Sequence, residues 1–244
     1  MALIEEFNRS GNWLFKRRGY LPVILLVAAI VYMAQRDFTG YSIHHYHDII
    51  YLIVSLSGLG VRILTIGQTP RNTSGRNIAG QKAEVLNTTG IYSLLRHPLY
   101  LGNFIIWLGI ALFLESVMFI VLFVLVFWLY YERIMFAEEF FLREKFGRAY
   151  LEWAENTPAF LPKFRNWQAS KLRFSWKNVL KREYNGFINI FITFTILDFA
   201  RNYFSAGKPY PSLLWIYLVG AALVVWIVLR TLEKNTSLFR EEGR

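Results

Sequence analysis

LYLGNFIIWLGIALFLESVMFIVLFVLVFWLYY, residues 99–131, decides the fold. Two apolar runs, Leu99–Leu114 and Val117–Tyr131, are joined only by Glu115 and Ser116, so the stretch reads as a tight helical hairpin. A helix crosses a bilayer with about 20 mostly apolar residues, within a range of about 17–25. Both runs are short, which is tolerable where flanking Arg, Lys, Trp and Tyr snorkel or anchor at the interfaces.

Four more runs lie outside the hairpin: Gly19–Gln35, Ile49–Ile66, Phe187–Phe204 and Leu213–Leu229. The expected fold is therefore an all-α polytopic transmembrane bundle of about six spans, with a central hairpin and cytoplasmic helices. The composition agrees: 55% hydrophobic and 18% aromatic residues exceed what a soluble core needs. Glu5 and Glu6 precede the first run, and Tyr32, Met33 and Gln35 stand where a signal peptide would show small residues. That run reads as a retained first membrane helix. Three parts follow: residues 1–48 with the first span, a core over 49–165, and a linker with a C-terminal helix pair over 166–244.

Six spans put both termini on one side. With the N-terminus inside, Arg36, Arg201 and Lys208 fall outside and every other Lys and Arg inside, a strong positive-inside bias. This accounts for the net charge of +10, because basic residues beside membrane helices hold anionic headgroups. The basic residues are not interleaved with aromatics as in a nucleic-acid groove, so no nucleic-acid partner is expected. The termini and the chemistry are placed at the cytoplasmic face, of the inner membrane if the source is bacterial. Glycosylation patterns at Asn72, Asn87 and Asn235 fall on that inner side and are set aside. There is no cysteine, which excludes disulfides, thiolate metal sites and a cysteine nucleophile. Oligomeric state is not legible.

Two long inner segments, 67–97 and 132–186, are where function is expected. The first holds Gly90-Ile-Tyr-Ser-Leu-Leu-Arg-His-Pro-Leu-Tyr-Leu-Gly-Asn103. Pro98 suits a first helical position. Arg96 and His97 stand just before it, at a helix start whose free N–H groups favour an anion. Gly102 lets a ligand or another backbone approach closely. Tyr92, Tyr100 and Trp107 offer aromatic faces for a cation or a planar base. The bland alternative is a plain interfacial helix start. The second segment holds Glu132-Arg-Ile-Met-Phe-Ala-Glu-Glu-Phe-Phe-Leu-Arg-Glu-Lys-Phe-Gly-Arg-Ala-Tyr150. A carboxylate at the bilayer edge is costly unless paired, which singles out Glu138 with Arg133. Glu139 and Arg143, four apart, suit a local helix pair.

Taken together these residues resemble the isoprenylcysteine carboxyl methyltransferase-like and phospholipid methyltransferase family of integral membrane enzymes. The pattern is carried by Gly90, Tyr92, Arg96, His97, Pro98, Tyr100 and Gly102, then by Glu138, Glu139, Leu142, Phe146, Gly147 and Tyr150, and closes on Phe160 and Pro162. The resemblance covers roughly 49–162. It implies S-adenosyl-L-methionine as methyl donor, held between the two constellations. Tyr92, Arg96, His97, Pro98, Tyr100, Gly102 and Asn103 would then stand near the cofactor, with Glu138 and Glu139 closing the pocket. Arg133, with Glu138 as the second catalytic candidate, would face the methyl acceptor.

The polar stretch 69–81, with Arg71 and Arg76 and then Lys82, lies outside the family pattern. With Trp107 and Arg133 it is expected to bind the acceptor, a membrane lipid or lipidated molecule carrying a carboxylate or phosphate. Such an acceptor is already anionic and needs a cationic anchor rather than a base. Three rivals stay open: an NADPH-dependent membrane sterol-type reductase, a phospholipid N-methyltransferase, and a non-enzymatic lipid-binding protein. His44, His45 and His47 beside Asp48 suit a metal or a merely polar loop, and no metal is assigned. Asp198 and Arg201 suit an i,i+3 pair inside the fifth run.

Overall fold

The structure, a computed structural model, describes residues 2–39, 45–70 and 81–239. Its helices are α1 (Leu3–Arg17), α2 (Tyr20–Gln35), α3 (His45–Gly67), α4 (Pro98–Leu112), α5 (Val117–Phe146), α6 (Arg148–Asn156), α7 (Trp176–Ala206) and α8 (Leu213–Asn235). Among the described residues there is no strand, only an isolated bridge between Gly90 and Gln168.

The expected hairpin is α4 and α5. Ser116 begins α5, its side chain accepting from the backbone N–H of Phe119 at 3.3 Å, which satisfies one of the helix's free donors. The helix then runs unbroken past the apolar residues to Phe146 and carries Glu138 and Glu139 with it. Gly147 stops it with φ +52°, a conformation glycine adopts freely, and α6 starts at once in a new direction.

Six spans are not confirmed: among the described residues three helices are long and apolar enough to cross a membrane, α3, α5 and α8. A fourth exists if α1 and α2, bent by 76°, count as one span. α4 is apolar but has only 15 residues. α7 is long, but Lys177, Lys181, Arg182 and Glu183 fill its first turns. α1 is not separable in the sequence because the apolar run begins only after it. It lies against α5, where Gly11 meets the Arg133 carbonyl with no room for a Cβ.

Lipid-facing surface is plain on the outer helices. Val23, Ile24, Val27 and Val31 form one exposed stripe of α2, and Val224, Val225, Ile227 and Val228 are exposed on α8. Such contiguous apolar surface suits a bilayer and not water. The interior is aromatic. Phe113, Phe194 and Trp215 are fully buried together, the last two stacked with ring centres 5.0 Å apart.

α3 and α4 pack through small residues. A Cβ on Gly58 would lie 2.6 Å from the Gly102 carbonyl, and one on Gly102 would lie 2.6 Å from Arg62 Cγ. The Ser55 hydroxyl donates to the Ile106 carbonyl at 2.7 Å in the same interface. Close approach of this kind gains van der Waals contact where no hydrophobic force acts between helices. α7 packs against α3 and α2. At one end Arg62 donates to Glu183. At the other Arg201 donates to Asp48 and to Asp198, all three at most 2% exposed. The expected Asp198–Arg201 pair is present, with Asp48 as a third member that sequence spacing does not reveal.

Candidate functional site

His97 and Pro98 open α4, and the irregular turn before them is clamped by the segment that follows α6. Arg96 N–H donates to the Pro158 carbonyl at 2.9 Å, His97 N–H to Ala159 at 3.1 Å, and Lys163 N–H to Leu94 at 3.0 Å. This gives the Phe160–Pro162 ending of the second constellation a physical role. It sits in the segment whose hydrogen bonds hold the Arg-His-Pro turn, and the Phe160 ring packs edge-on against Phe104 and Trp128.

The two constellations meet at the end of α5. Arg96 grips Glu139 with Nε and Nη2, at 2.8 and 3.2 Å, while its Nη1 donates to the carbonyls of Ala154 and Thr157, both at 2.8 Å. His97 Nε2 is 2.8 Å from the same carboxylate, and its Nδ1 is 3.7 Å from Glu138. The Tyr100 hydroxyl donates to Glu138 at 2.7 Å. Burial opposes a charge on the His97 ring, but the two carboxylates outweigh it and hold its pKa above the ordinary histidine value. Burial, with Glu138 nearby, pushes the Tyr92 phenol well up, so it stays protonated.

The expected Glu139–Arg143 pair does not form. Glu139 turns to Arg96 and His97, and Arg143 is exposed. A bidentate arginine and an imidazole offer more than one exposed i,i+4 contact.

These residues line one cavity of about 310 Å³. Tyr92, Arg96, His97, Pro98 and Tyr100 reach it, as do Asn103, Trp107, Glu138 and Glu139. Basic residues line it as well: Arg18 from the α1–α2 joint, Lys82, and Arg182 from the start of α7. Tyr150 and Trp153 of α6 close it, and the Trp153 indole donates to the Tyr92 carbonyl at 3.2 Å.

Other expected residues lie elsewhere. Gly102 is filled by α3, with Arg62 and the Gly58 carbonyl against it, so its close approach serves helix packing. Arg133 points away from the cavity. Five residues along a helix is a turn of roughly 140° relative to Glu138. Its Nη1 donates to the Ser10 hydroxyl at 3.1 Å, and its guanidinium lies 4.5 Å from the Phe7 ring centre, against α1. Arg71 and Arg76 lie outside the described residues, as does His44. His45 meets Asp48 at 3.2 Å and His47 meets Glu115 at 3.1 Å. Among the described residues no three His, Asp or Glu side chains gather as a metal site.

Sequence reasoning missed Arg62, Tyr131, Arg182 and Glu183, all lining the cavity. Arg62 carried a signal, a charge inside an apolar run. Glu183 carried none, because its partner is 121 residues away.

Residues 55–149 match the phospholipid methyltransferase family, a stretch that contains both constellations up to Gly147. The resemblance read from the motifs is thereby borne out. A cobalt-zinc-cadmium resistance protein of Cupriavidus metallidurans is 38% identical over 112 residues, 46% of this chain and 50% of that protein. A nickel-cobalt-cadmium resistance protein of Alcaligenes xylosoxydans xylosoxydans is 32% identical over 156 residues, 64% of this chain and 65% of that protein. A probable protein-S-isoprenylcysteine O-methyltransferase of Oryza sativa subsp. indica is 36% identical over 118 residues, 44% of this chain and 61% of that protein. The chain thus spans between half and two thirds of the length of these relatives. No solved structure matches.

Proposed function

We propose that this membrane protein, similar over residues 55–149 to phospholipid methyltransferases, transfers a methyl group from S-adenosyl-L-methionine to an oxyanion of a membrane lipid or lipidated acceptor. The observation that carries the reading is one cavity lined by both fixed carboxylates and basic side chains. Glu138 and Glu139, fixed by Tyr100, His97 and Arg96, line it together with Arg18, Lys82 and Arg182.

The donor set fits the cofactor. Its ammonium and ribose hydroxyls call for carboxylates, which Glu138 and Glu139 provide. Its adenine calls for a flat apolar face, which Tyr92, Tyr100 and Trp107 offer. When bound, it supplies a methyl carbon on a positively charged sulfur, so an acceptor that is already an anion needs no base. The residues' task is then to orient and to exclude water. Arg96 and His97 keep Glu139 in place, and Tyr100 keeps Glu138 in place. The basic lining residues hold the acceptor's anionic group, and the lipid-exposed helices admit its apolar tail. The positive-inside bias supports a site at the cytoplasmic face.

Transfer of labelled methyl from S-adenosyl-L-methionine tests this. Detergent-purified protein is offered S-farnesylcysteine, phosphatidic acid vesicles and phosphatidylethanolamine vesicles. Label in a base-labile carboxyl ester or a phosphate ester supports the reading. Label confined to the amine of phosphatidylethanolamine overturns the oxyanion assignment in favour of N-methylation.

A further inference from the structure

One buried phenol has its proton aimed by a chain of side chains that starts outside the family-matched residues. Arginine has donors only. Arg62 Nε and Nη2 donate to the two Glu183 oxygens at 2.8 and 2.7 Å, and its Nη1 donates to Asn103 Oδ1 at 2.6 Å. That contact fixes the Asn103 amide. With Oδ1 facing Arg62, Nδ2 faces Tyr131 and donates to its hydroxyl oxygen at 3.2 Å. The Tyr131 proton is therefore not used towards Asn103. Among the described residues no protein group accepts it, and Tyr131 lines the cavity. Its ring lies 5.0 Å from that of Tyr100, one ring away from Glu138.

We propose that the Tyr131 hydroxyl is the hydrogen-bond donor for the acceptor's oxyanion, aimed into the cavity by Glu183, Arg62 and Asn103 as positioning residues. The inference rests on the methyltransferase reading and narrows its substrate class. A carboxylate or phosphate oxygen has lone pairs enough to take the Tyr131 proton on one and form the new carbon–oxygen bond with another. A neutral amine has a single lone pair. Held by Tyr131, that pair is unavailable for attack, so the donor selects oxygen over nitrogen. The selecting device includes Glu183 of α7, beyond residue 149, where the family match ends.

The chain of side chains has a direction that a substitution can reverse. Asn103→Asp keeps the acceptor for Arg62 but replaces the amide donor by a second acceptor. The Tyr131 proton then turns to Asp and leaves the cavity. S-farnesylcysteine and phosphatidic acid vesicles serve as carboxylate and phosphate probes, and the arm that turns over identifies the source of the oxyanion. S-adenosylhomocysteine affinity is measured on each variant to read the donor site separately. Tyr131→Phe is expected to raise KM for the oxyanion probe about 10- to 100-fold, as for a hydrogen bond to a charged group, with S-adenosylhomocysteine affinity unchanged. Asn103→Asp raises KM as well, and Glu183→Gln raises KM but adds nothing in the Tyr131→Phe background. An unchanged KM in Tyr131→Phe, or losses that multiply when Glu183→Gln is combined with it, overturns the proposal while leaving methyl transfer intact. Failure of the wild-type protein to bind S-adenosylhomocysteine overturns the methyltransferase reading itself.

Discussion

Asp48 opens α3 and is gripped by Arg201 near the end of α7, with both carboxylate oxygens engaged at 2.8 and 2.7 Å. The same two helices are joined at their opposite ends by Arg62 and Glu183, with the charges exchanged. The two helices are thus antiparallel with a polarity that only one register satisfies, since a slip would separate both pairs. The arrangement fixes α7 against the family-matched core and sets Arg182 and Glu183 at the cavity wall.

Breaking the remote clamp leaves buried charge uncompensated. Arg201→Ala strips the guanidinium from Asp48 and Asp198, both fully buried. A loss of about 3–5 kcal/mol is expected for removing one member of a buried ion pair. Thermal or denaturant unfolding in detergent measures it. The double variant Asp48→Asn with Arg201→Met, which removes two of the three charges, should recover part of that loss.

The small-residue seam between α3 and α4 predicts a contrast between neighbouring glycines. Gly102→Val drives a branched side chain into Arg62 and the Gly58 carbonyl. It should cost about 1–3 kcal/mol or more by overpacking and weaken S-adenosylhomocysteine binding by displacing α4. Gly60 lies inside α3, and a Cβ added there would meet no heavy atom within 4 Å. Gly60→Ala should be neutral or slightly stabilising. Melting temperatures of the two variants separate the cases.

Much of this was legible in the sequence. The α4–α5 hairpin was visible because two apolar runs meet across two polar residues, and the cavity's Arg-His-Pro and Glu-Glu elements were visible as motifs. What was not legible shares one cause, that tertiary partners override local spacing. Arg143 stands at the right helical distance from Glu139, yet Arg96 and His97, more than 40 residues away, take the carboxylate. Arg133 looked adjacent to Glu138 but sits on another face of α5, and Glu183 gives no hint of Arg62 until α7 packs on α3. The count of six spans is not confirmed: α4 has only 15 residues and packs on α3, and α7 carries Lys177, Lys181, Arg182 and Glu183 in its first turns.

The partner exchange at Glu139 gives a direct comparison. Arg143→Ala should leave stability within about 0.5 kcal/mol of the wild type, as expected for an exposed charge. Glu139→Ala removes the acceptor of Arg96 and His97 together, and should lower both the melting temperature and donor affinity. Equal effects of the two variants would mean that the local helix pair matters after all.

His97 supplies a pH dependence with a definite sign. Its pKa is raised on folding. Its protonated ring therefore contributes stability that is fully present below the unfolded value of about 6.5 and fades as pH rises through the raised native value. The melting-temperature gap between wild type and His97→Gln should be largest at about pH 6 and shrink on the way to about pH 9. A gap that is flat over that range would show that the ring acts uncharged.

Calorimetric titration of the detergent-purified protein with S-adenosylhomocysteine, and separately with NADPH, tests the central claim most directly. The account predicts saturable binding of S-adenosylhomocysteine alone, lost or strongly weakened in Glu138→Ala, whose carboxylate the Tyr100 hydroxyl holds at the cavity wall. Binding of NADPH instead, or S-adenosylhomocysteine binding that ignores Glu138→Ala, would contradict it.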